Sequence, residues 1–477
     1  MSNKPAIVGY IPETLDITTL EGYNKRWHDK YHWFIHSIVF KSLTSKDSFH
    51  HYVNLSNVIL EKYIGANYLQ DVKKFLVENE VIKCNKRFSV GAFSKSYKLE
   101  KNYINKPIKA VEIVKPTYKK KIQKIRDSYL KDVLNNNNIR TEFRNLTYAR
   151  IDRERAFEYI NANYKKGSKQ YESRKVGIEQ YDAMQYTEFS NGRYSINFTF
   201  KVHNGRIYSP ATMLARDLER FTYFIGYENQ DSVVLDMPNS QLCFYDNLTK
   251  GNKKSQFYSF GDIDNQVVNT NLKDIGSRSR GNERNNKKNK KTVETKRQNF
   301  PISFVPPTLV PYVLYFDTNS LKTNAWQTLI FNSKGYEAMM CLSNYCDKNE
   351  GHTSEERQNF KEVFFGNLFY NKYQPKLTHL EEVFSKYFPN EFKALRSAKY
   401  KYGNKLLAVK VQSLEAKFFH KIAVNHLNRN YKHVPFVIKH DSIKVPIEYG
   451  FVIHDDLNKL AQSFFGRNDI KLKLETL

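Results

Sequence analysis

The chain has 477 residues, 76 of them Lys or Arg against 49 Asp or Glu, for a formal charge of +27 at pH 7. Folding does not require such a cationic excess. A phosphate-rich partner would select it through attraction and counterion release. The charge is spread along the chain, whereas membrane-surface binding would gather it on one amphipathic helix.

The length allows two or three domains, and a 14% aromatic content can build sizeable cores. The four cysteines, Cys84, Cys243, Cys341 and Cys346, form no disulfide framework. Cys341 and Cys346, with His352 nearby, lack the second pair and the spacing of a zinc finger, so free thiols are expected. No signal peptide or membrane span is visible, so a cytoplasmic protein of a bacterial or phage-infected cell is expected, and the lack of a Gly-rich Walker loop argues against an ATPase.

Residues 1–45 show no clear period. From residue 55, "LSNVILEKYIG" predicts a helix closed by Gly65, and "ANYLQDVKKFLVENEVI" predicts a second, with Tyr68, Leu69, Val72, Phe75, Leu76 and Ile82 on or near one face. "KCNKRFSVGAFSKSYKL" then alternates as two strands around Gly91. Helix, turn, helix and basic hairpin is the layout of a winged helix, and residues 1–115 are assigned to such a DNA-binding domain. Lys86, Arg87, Lys95 and Lys98 would touch phosphates. The alternative is a small helical bundle whose charges are a solvated face. Residues 116–194 are assigned to a helical connector or thumb-like region, Lys-rich at its start, and "YSINFTFKVHNGRIYSP" alternates as a strand pair. Residues 276–298, almost without apolar side chains, predict a disordered basic insertion in a folded domain covering 195–477. No internal repeat is present.

The hairpin "FVIKHDSIKV" (436–445) carries Asp441 at its tip, and upstream "SVVLD" is a short apolar strand closed by Asp236. Two carboxylates at adjacent strand ends can hold two magnesium ions about 3.5–4 Å apart, because hard cations take oxygen ligands. Between them, "RQNFKEVFFGNLFYNK" (357–372) places Arg357, Lys361, Phe365 and Phe369 at four-residue intervals on one helix face. Two cations there can grip a triphosphate while a ring packs on the nucleotide. Taken singly, each residue has an ordinary explanation: a turn aspartate, a helix N-cap, a solvated cationic face, core rings.

In this order, R-x3-K-x3-F-G-x2-aromatic resembles the fingers helix of family A DNA polymerases and the related single-subunit phage-type RNA polymerases. Asp236 then resembles the first palm motif and His440-Asp441 the last, while "HNGRIYSP" resembles the Gly-Arg motif whose arginine meets the template-primer backbone. The resemblance covers roughly residues 195–460. It implies an α+β fold, a right-hand palm and fingers with a reduced thumb, behind the winged-helix-like domain. It also implies a template-directed nucleotidyltransferase with two Mg2+ ions, a DNA template and nucleoside triphosphates as partners, and no proofreading exonuclease. Asp236 and Asp441 would hold the metals. Arg357 and Lys361 would bind the phosphates, with Lys361 as proton donor to pyrophosphate, and Phe365 with Phe369 or Tyr370 would position the nucleotide. Arg206 and the 276–298 insertion would hold template or product, Gln412 would face the template, and His440 would orient Asp441 or contact the primer-terminal phosphate.

Where the family often closes its fingers motif with Tyr-Gly, this chain reads Phe369-Tyr370-Asn371. The sugar gate falls on Gln241, or on Cys243 if Ser240-Gln241 pairs with the family's Ser-Gln. The bulk of Gln241 places DNA synthesis ahead of RNA synthesis. The rival from another class is a non-catalytic replication initiator with a polymerase-like fold. A nuclease would ask for three or more clustered acids around His440, and none are so arranged.

Overall fold

The computed structural model describes residues 7–44, 51–85, 95–190, 193–250, 326, 329–330, 335–343, 345 and 353–477. Lys86, Arg87, Gly91, the 276–298 insertion, Cys346 and His352 lie outside the described residues. The chain mixes helices and strands and divides into two units. One holds Met1–Met237, Ala416–Leu457 and Leu472–Leu477, and the other holds Pro238–Glu415 and Asn458–Lys471.

The first unit opens with β1 (Val8–Pro12) and α1 (His28–Thr44). The helix buries Tyr31, Phe34, Ile35, Ile38 and Val39, but also Asp29 and His32, so polar residues on the inner face mask its period in the sequence. Asp29 is satisfied by accepting the backbone N–H groups of Val114 and Lys115. β2 (Val53–Asn54), α2 (Asn57–Ile64), α3 (Ala66–Glu78), β3 (Ile82–Asn85) and β4 (Ser96–Leu99) follow. Gly65, at φ +102°, turns the chain between the two helices as its position in the sequence predicts. On α3 the residues Leu69, Val72, Phe75 and Leu76 are buried, whereas Tyr68 is exposed and Ile82 belongs to β3. The three strands form a sheet in the order β2-β4-β3. β5 (Ile108–Glu112) pairs antiparallel with β1.

Next come α4 (Pro116–Val133), with proline in its first turn, and α5 (Asn137–Leu146), capped by the Asn136 side chain. β6 (Ala149–Ile151) leads into α6 (Arg153–Asn163), capped by Asp152, and α7 (Lys169–Asp182), capped by Ser168. Two hairpins follow: β7 (Glu188–Ser190) with β8 (Arg193–Ser195), and β9 (Lys201–His203) with β10 (Arg206–Tyr208). A short α8 (Pro210–Met213) precedes β11 (Thr222–Phe224), which pairs with β6, and then β12 (Ser232–Asp236). Phe143, Ile160, Ile178, Phe198, Leu218 and Phe224 share one apolar core.

The second unit contains α9 (Ser240–Lys250), α10 (Gly335–Leu342), α11 (Ser354–Phe365), α12 (His379–Tyr387) and most of α13 (Pro389–Lys417), which is kinked at Gly403. Its interior is aromatic. Trp326 lies 5.0 Å from both Phe384 and Phe388, ring centroid to centroid, and Phe364 packs on Phe360 and Phe384.

The chain then returns to the first unit with α14 (Val424–Asn430), β13 (Val437–Lys439), β14 (Ser442–Pro446), the N-terminal half of α15 (Ile447–Phe465) and β15 (Lys473–Thr476). The four strands make an antiparallel sheet, β13-β14-β12-β15. Gly450 lets α15 close onto this sheet, since a Cβ there would sit 2.6 Å from Val233 Cγ2. Among the described residues, no helix is long and apolar enough to cross a membrane.

Candidate functional site

The first unit's four-stranded sheet brings Asp236 and Asp441 together through its backbone. Val233 and Leu235 of β12 are buried, while Val234 and Asp236 are half-buried, the alternation a pleated strand gives. In the neighbouring hairpin, Lys439 pairs with Ser442, leaving His440 and Asp441 as the two loop residues. Asp236 is the register partner of Ser442, and the Met237 N–H donates to the Asp441 carbonyl oxygen at 3.0 Å. The two aspartates therefore stand one register step apart on adjacent strands, an offset that sets their Cα atoms about 6 Å apart from strand spacing and rise. The strand, the tip and the second strand lie where the hydrophobic pattern predicts.

His440 occupies the left-handed region, φ +58°, as the tight turn demands. Its ring lies edge-on to Tyr208 at 6.1 Å. Burial, and then the Arg206 charge, push the imidazole below its ordinary pKa, while Asp441 pulls the other way. Arg206, buried, reaches this turn because it opens β10 directly after the Asn204-Gly205 turn, whose φ values are +51° and +78°. Ser209 and Thr212 then form a reciprocal cap that ends the hairpin and starts α8. So Arg206 and the His440-Asp441 pair, proposed from two separate motifs, share one electrostatic neighbourhood.

The sequence gives little sign of the groups that anchor the sheet. Lys439 forms an ion pair with Glu219. The Lys444 Nζ, inside the strand, donates to the Thr222 carbonyl at 2.8 Å and to the Thr222 hydroxyl. A buried pair, His420 Nδ1 to Glu142 Oε2 at 2.8 Å, also contributes to the field at His440. Burial raises the pKa of Glu142. These pairs join residues more than 200 positions apart, as 439 and 219 show, and no local pattern encodes that.

In the second unit, α11 begins with a Thr353–Glu356 capping box. Arg357 Nε donates to Glu337 Oε1 at 2.6 Å, and the Arg357 guanidinium and Lys361 ammonium lie 5.2 and 5.6 Å from the Tyr336 ring centroid. Residues Gly366–Tyr370 wind as a π-helix, and Phe365 and Phe369 still pack together, ring centroids 5.2 Å apart. Phe369 also lies 4.9 Å from Tyr245, edge-on. Phe365 and Phe369 are 7% and 6% exposed, whereas Tyr370 is 45% exposed. The ring of this motif open to a ligand is thus Tyr370, and the two phenylalanines are core. Gln241, in the first turn of α9, and Gln412, in α13, are half-buried. In the N-terminal part, Lys95 is half-buried and its carbonyl accepts from Leu55, while the Lys98 Nζ lies 4.9 Å over the Tyr52 ring.

Among the described residues, no group of three or more His, Cys, Asp or Glu side chains could hold a metal ion. Two carboxylates on neighbouring strands are nonetheless an all-oxygen donor set, and magnesium is commonly held by one or two carboxylates, with waters and substrate phosphates completing its shell.

No protein-family model and no curated protein matches the chain. Among solved structures it is similar to the POL domain of Pol1 from M. smegmatis in complex with DNA primer-template and dNTP, with a TM-score of 0.32 and 12% identity. That match covers 68% of this chain and 55% of the other. At this TM-score the likeness assigns no role to any residue.

Proposed function

We propose that the chain is a template-directed nucleotidyltransferase that uses two magnesium ions and lacks proofreading, with DNA placed ahead of RNA as product on the bulk of Gln241. The observation that supports this best is the register of β12 against β14, which sets Asp236 beside the Asp441 turn. Asp236 and Asp441 would hold the ions. Bound magnesium would neutralise triphosphate charge and favour ionisation of the attacking 3′-hydroxyl. Arg357 and Lys361 bind phosphate oxygens, with Lys361 as proton donor to pyrophosphate. Tyr370 offers its ring to the nucleotide, and Phe365 and Phe369 brace it from the core. Arg206 holds the nucleic-acid backbone, and His440 orients the Asp441 turn. Gln412 faces the template. The N-terminal α2–α3 pair and its three-stranded sheet, with Lys95, bind DNA as a winged helix, and the basic insertion adds phosphate contacts.

The test is extension of primed and unprimed templates with magnesium and either dNTPs or rNTPs. Wild type should extend, and Asp236→Asn and Asp441→Asn should each lose about 100-fold or more, the scale of removing one group that stabilises developing charge. The productive nucleotide set names the product. Tight template binding with no extension under any condition would replace this reading with that of a non-catalytic replication initiator.

A further inference from the structure

A second feature of the first unit lies apart from the carboxylate turn in sequence and makes no use of it. The C-terminal end of α4 presents Leu130 and Lys131, with the capping Leu134, to a cleft of about 360 Å³ that is also lined by Arg140, Phe189 and Tyr194. That volume falls in the range of small-ligand sites. The floor is apolar, and the polar lining is Lys131 and Arg140 with Asp127 and Asn135.

The wall is an aromatic column. Phe143, fully buried, packs edge-on to Tyr194 at 4.9 Å, and Tyr194 lies 4.6 Å from Phe189, its register partner across the β7–β8 hairpin. Tyr194 is thereby pinned to the core, while Phe189 is 63% exposed at the outer end. Phe189 keeps its contact with Tyr194 and leaves the larger part of its ring exposed beside the cleft. The Arg140 Nε donates to the Leu134 carbonyl at 2.9 Å, which holds the guanidinium at the rim. Asp127 also lines the cleft, and its carboxylate accepts from Gln123 Nε2 at 2.6 Å.

A flat ring carrying an anion matches this combination, with aromatic wall, aliphatic floor and two cations. We propose that the cleft takes a nucleobase of single-stranded nucleic acid, stacked on Phe189, with the adjoining phosphate held by Lys131 and Arg140. Nucleotide-sized ligands and strands share this chemistry, so both are tested. The site does not depend on the chain being a polymerase.

The experiment measures binding of a fluorescein-labelled twelve-residue thymidine oligonucleotide by anisotropy, and of thymidine monophosphate by calorimetry, to the full chain. Phe189→Ala should weaken oligonucleotide binding about tenfold, within the 1–3 kcal/mol that one stacked base is worth. Phe189→Tyr should restore it, and Phe189→Leu, apolar but without a ring, should not. Lys131→Ser should lower the slope of log K against log salt by about 0.7, the share of one single-strand phosphate. A loss for the oligonucleotide alone marks a strand-binding site, and a loss for both probes marks one that also takes free nucleotides. Equal binding of both probes by wild type and Phe189→Ala overturns the proposal. Repeating the series in an Asp441→Asn chain separates the two readings: a Phe189 effect there stands even if wild type extends no primer.

Discussion

Replacing Lys444 with methionine should remove a pH dependence from folding that its buried ammonium imposes. Lys444 sits mid-strand in β14, opposite Val437 on one side and Val234 on the other, and is 8% exposed. Its Nζ is satisfied by Thr222 and by the Glu219 carbonyl at 3.4 Å. Burial nonetheless drives its pKa down to about 7, with Glu219 opposing the shift and Lys439 adding to it. A drop from 10.5 to about 7 places about 5 kcal/mol on the charged form. The unfolded chain then binds more protons than the folded one between these two pKa values, so stability rises with pH across that window. The full penalty applies below about pH 7 and is relieved progressively toward the unfolded value. From pH 6 to pH 9 the wild-type chain should gain about 2–3 kcal/mol from this group alone, and the methionine variant should gain none of it. Denaturant midpoints of both chains at several pH values give the difference, in which titrations common to both cancel. Methionine keeps most of the volume, so the variant should be favoured most at pH 6 and progressively less at pH 9. A difference that stays constant with pH would mean that the ammonium is solvated or fully compensated by Glu219, and would refute the reasoning.

Two other substitutions probe how the sheet is held. Gly450→Ala places a methyl group 2.6 Å from Val233 Cγ2, an overpacking that should cost about 1–3 kcal/mol and lower the thermal midpoint; an unchanged midpoint would show that α15 slides freely on β12. His440→Val and His440→Asn both remove the Tyr208 contact, but valine resists the +58° φ that asparagine tolerates. The valine variant should therefore be less stable by about 1 kcal/mol, and equal stabilities would show that the turn relaxes.

What the sequence discloses here follows from the range over which its signals act. The hairpin at 436–446 was legible because alternation and turn chemistry are local, and β12 because an apolar run ended on a carboxylate. Helix α1 was not, since Asp29 and His32 lie on its buried side and only the distant Val114 and Lys115 amides make Asp29 welcome there. The pairing of β15 with β12 joins residues more than 230 positions apart and left no mark on either segment. Burial, which a four-residue spacing does not encode, separates the two candidate rings at 369 and 370: Phe369 is core and Tyr370 is exposed.

The carboxylate pair is positioned by main-chain ladder bonds, and this separates charge from architecture. Asp236→Asn and Asp441→Asn keep the side-chain shape, and the Met237 to Asp441 hydrogen bond is a backbone bond that neither substitution touches. Neither substitution alters the ladder bonds of β12, β13 and β14, so either variant should keep the fold. What each should remove is a response to magnesium. A ligand that binds only the folded state stabilises it by RT ln(1 + [L]/Kd), about 1.4 kcal/mol at ten times Kd. Magnesium should therefore raise the wild-type thermal midpoint in the absence of nucleotide, and raise it less in either asparagine variant, while sodium at matched ionic strength raises neither selectively. This measurement requires no turnover, so it tests the two side chains as a cation site even in a chain that extends no primer. Identical magnesium shifts in wild type and both variants would show that the ion binds elsewhere, and Asp236 and Asp441 would lose their claim to it.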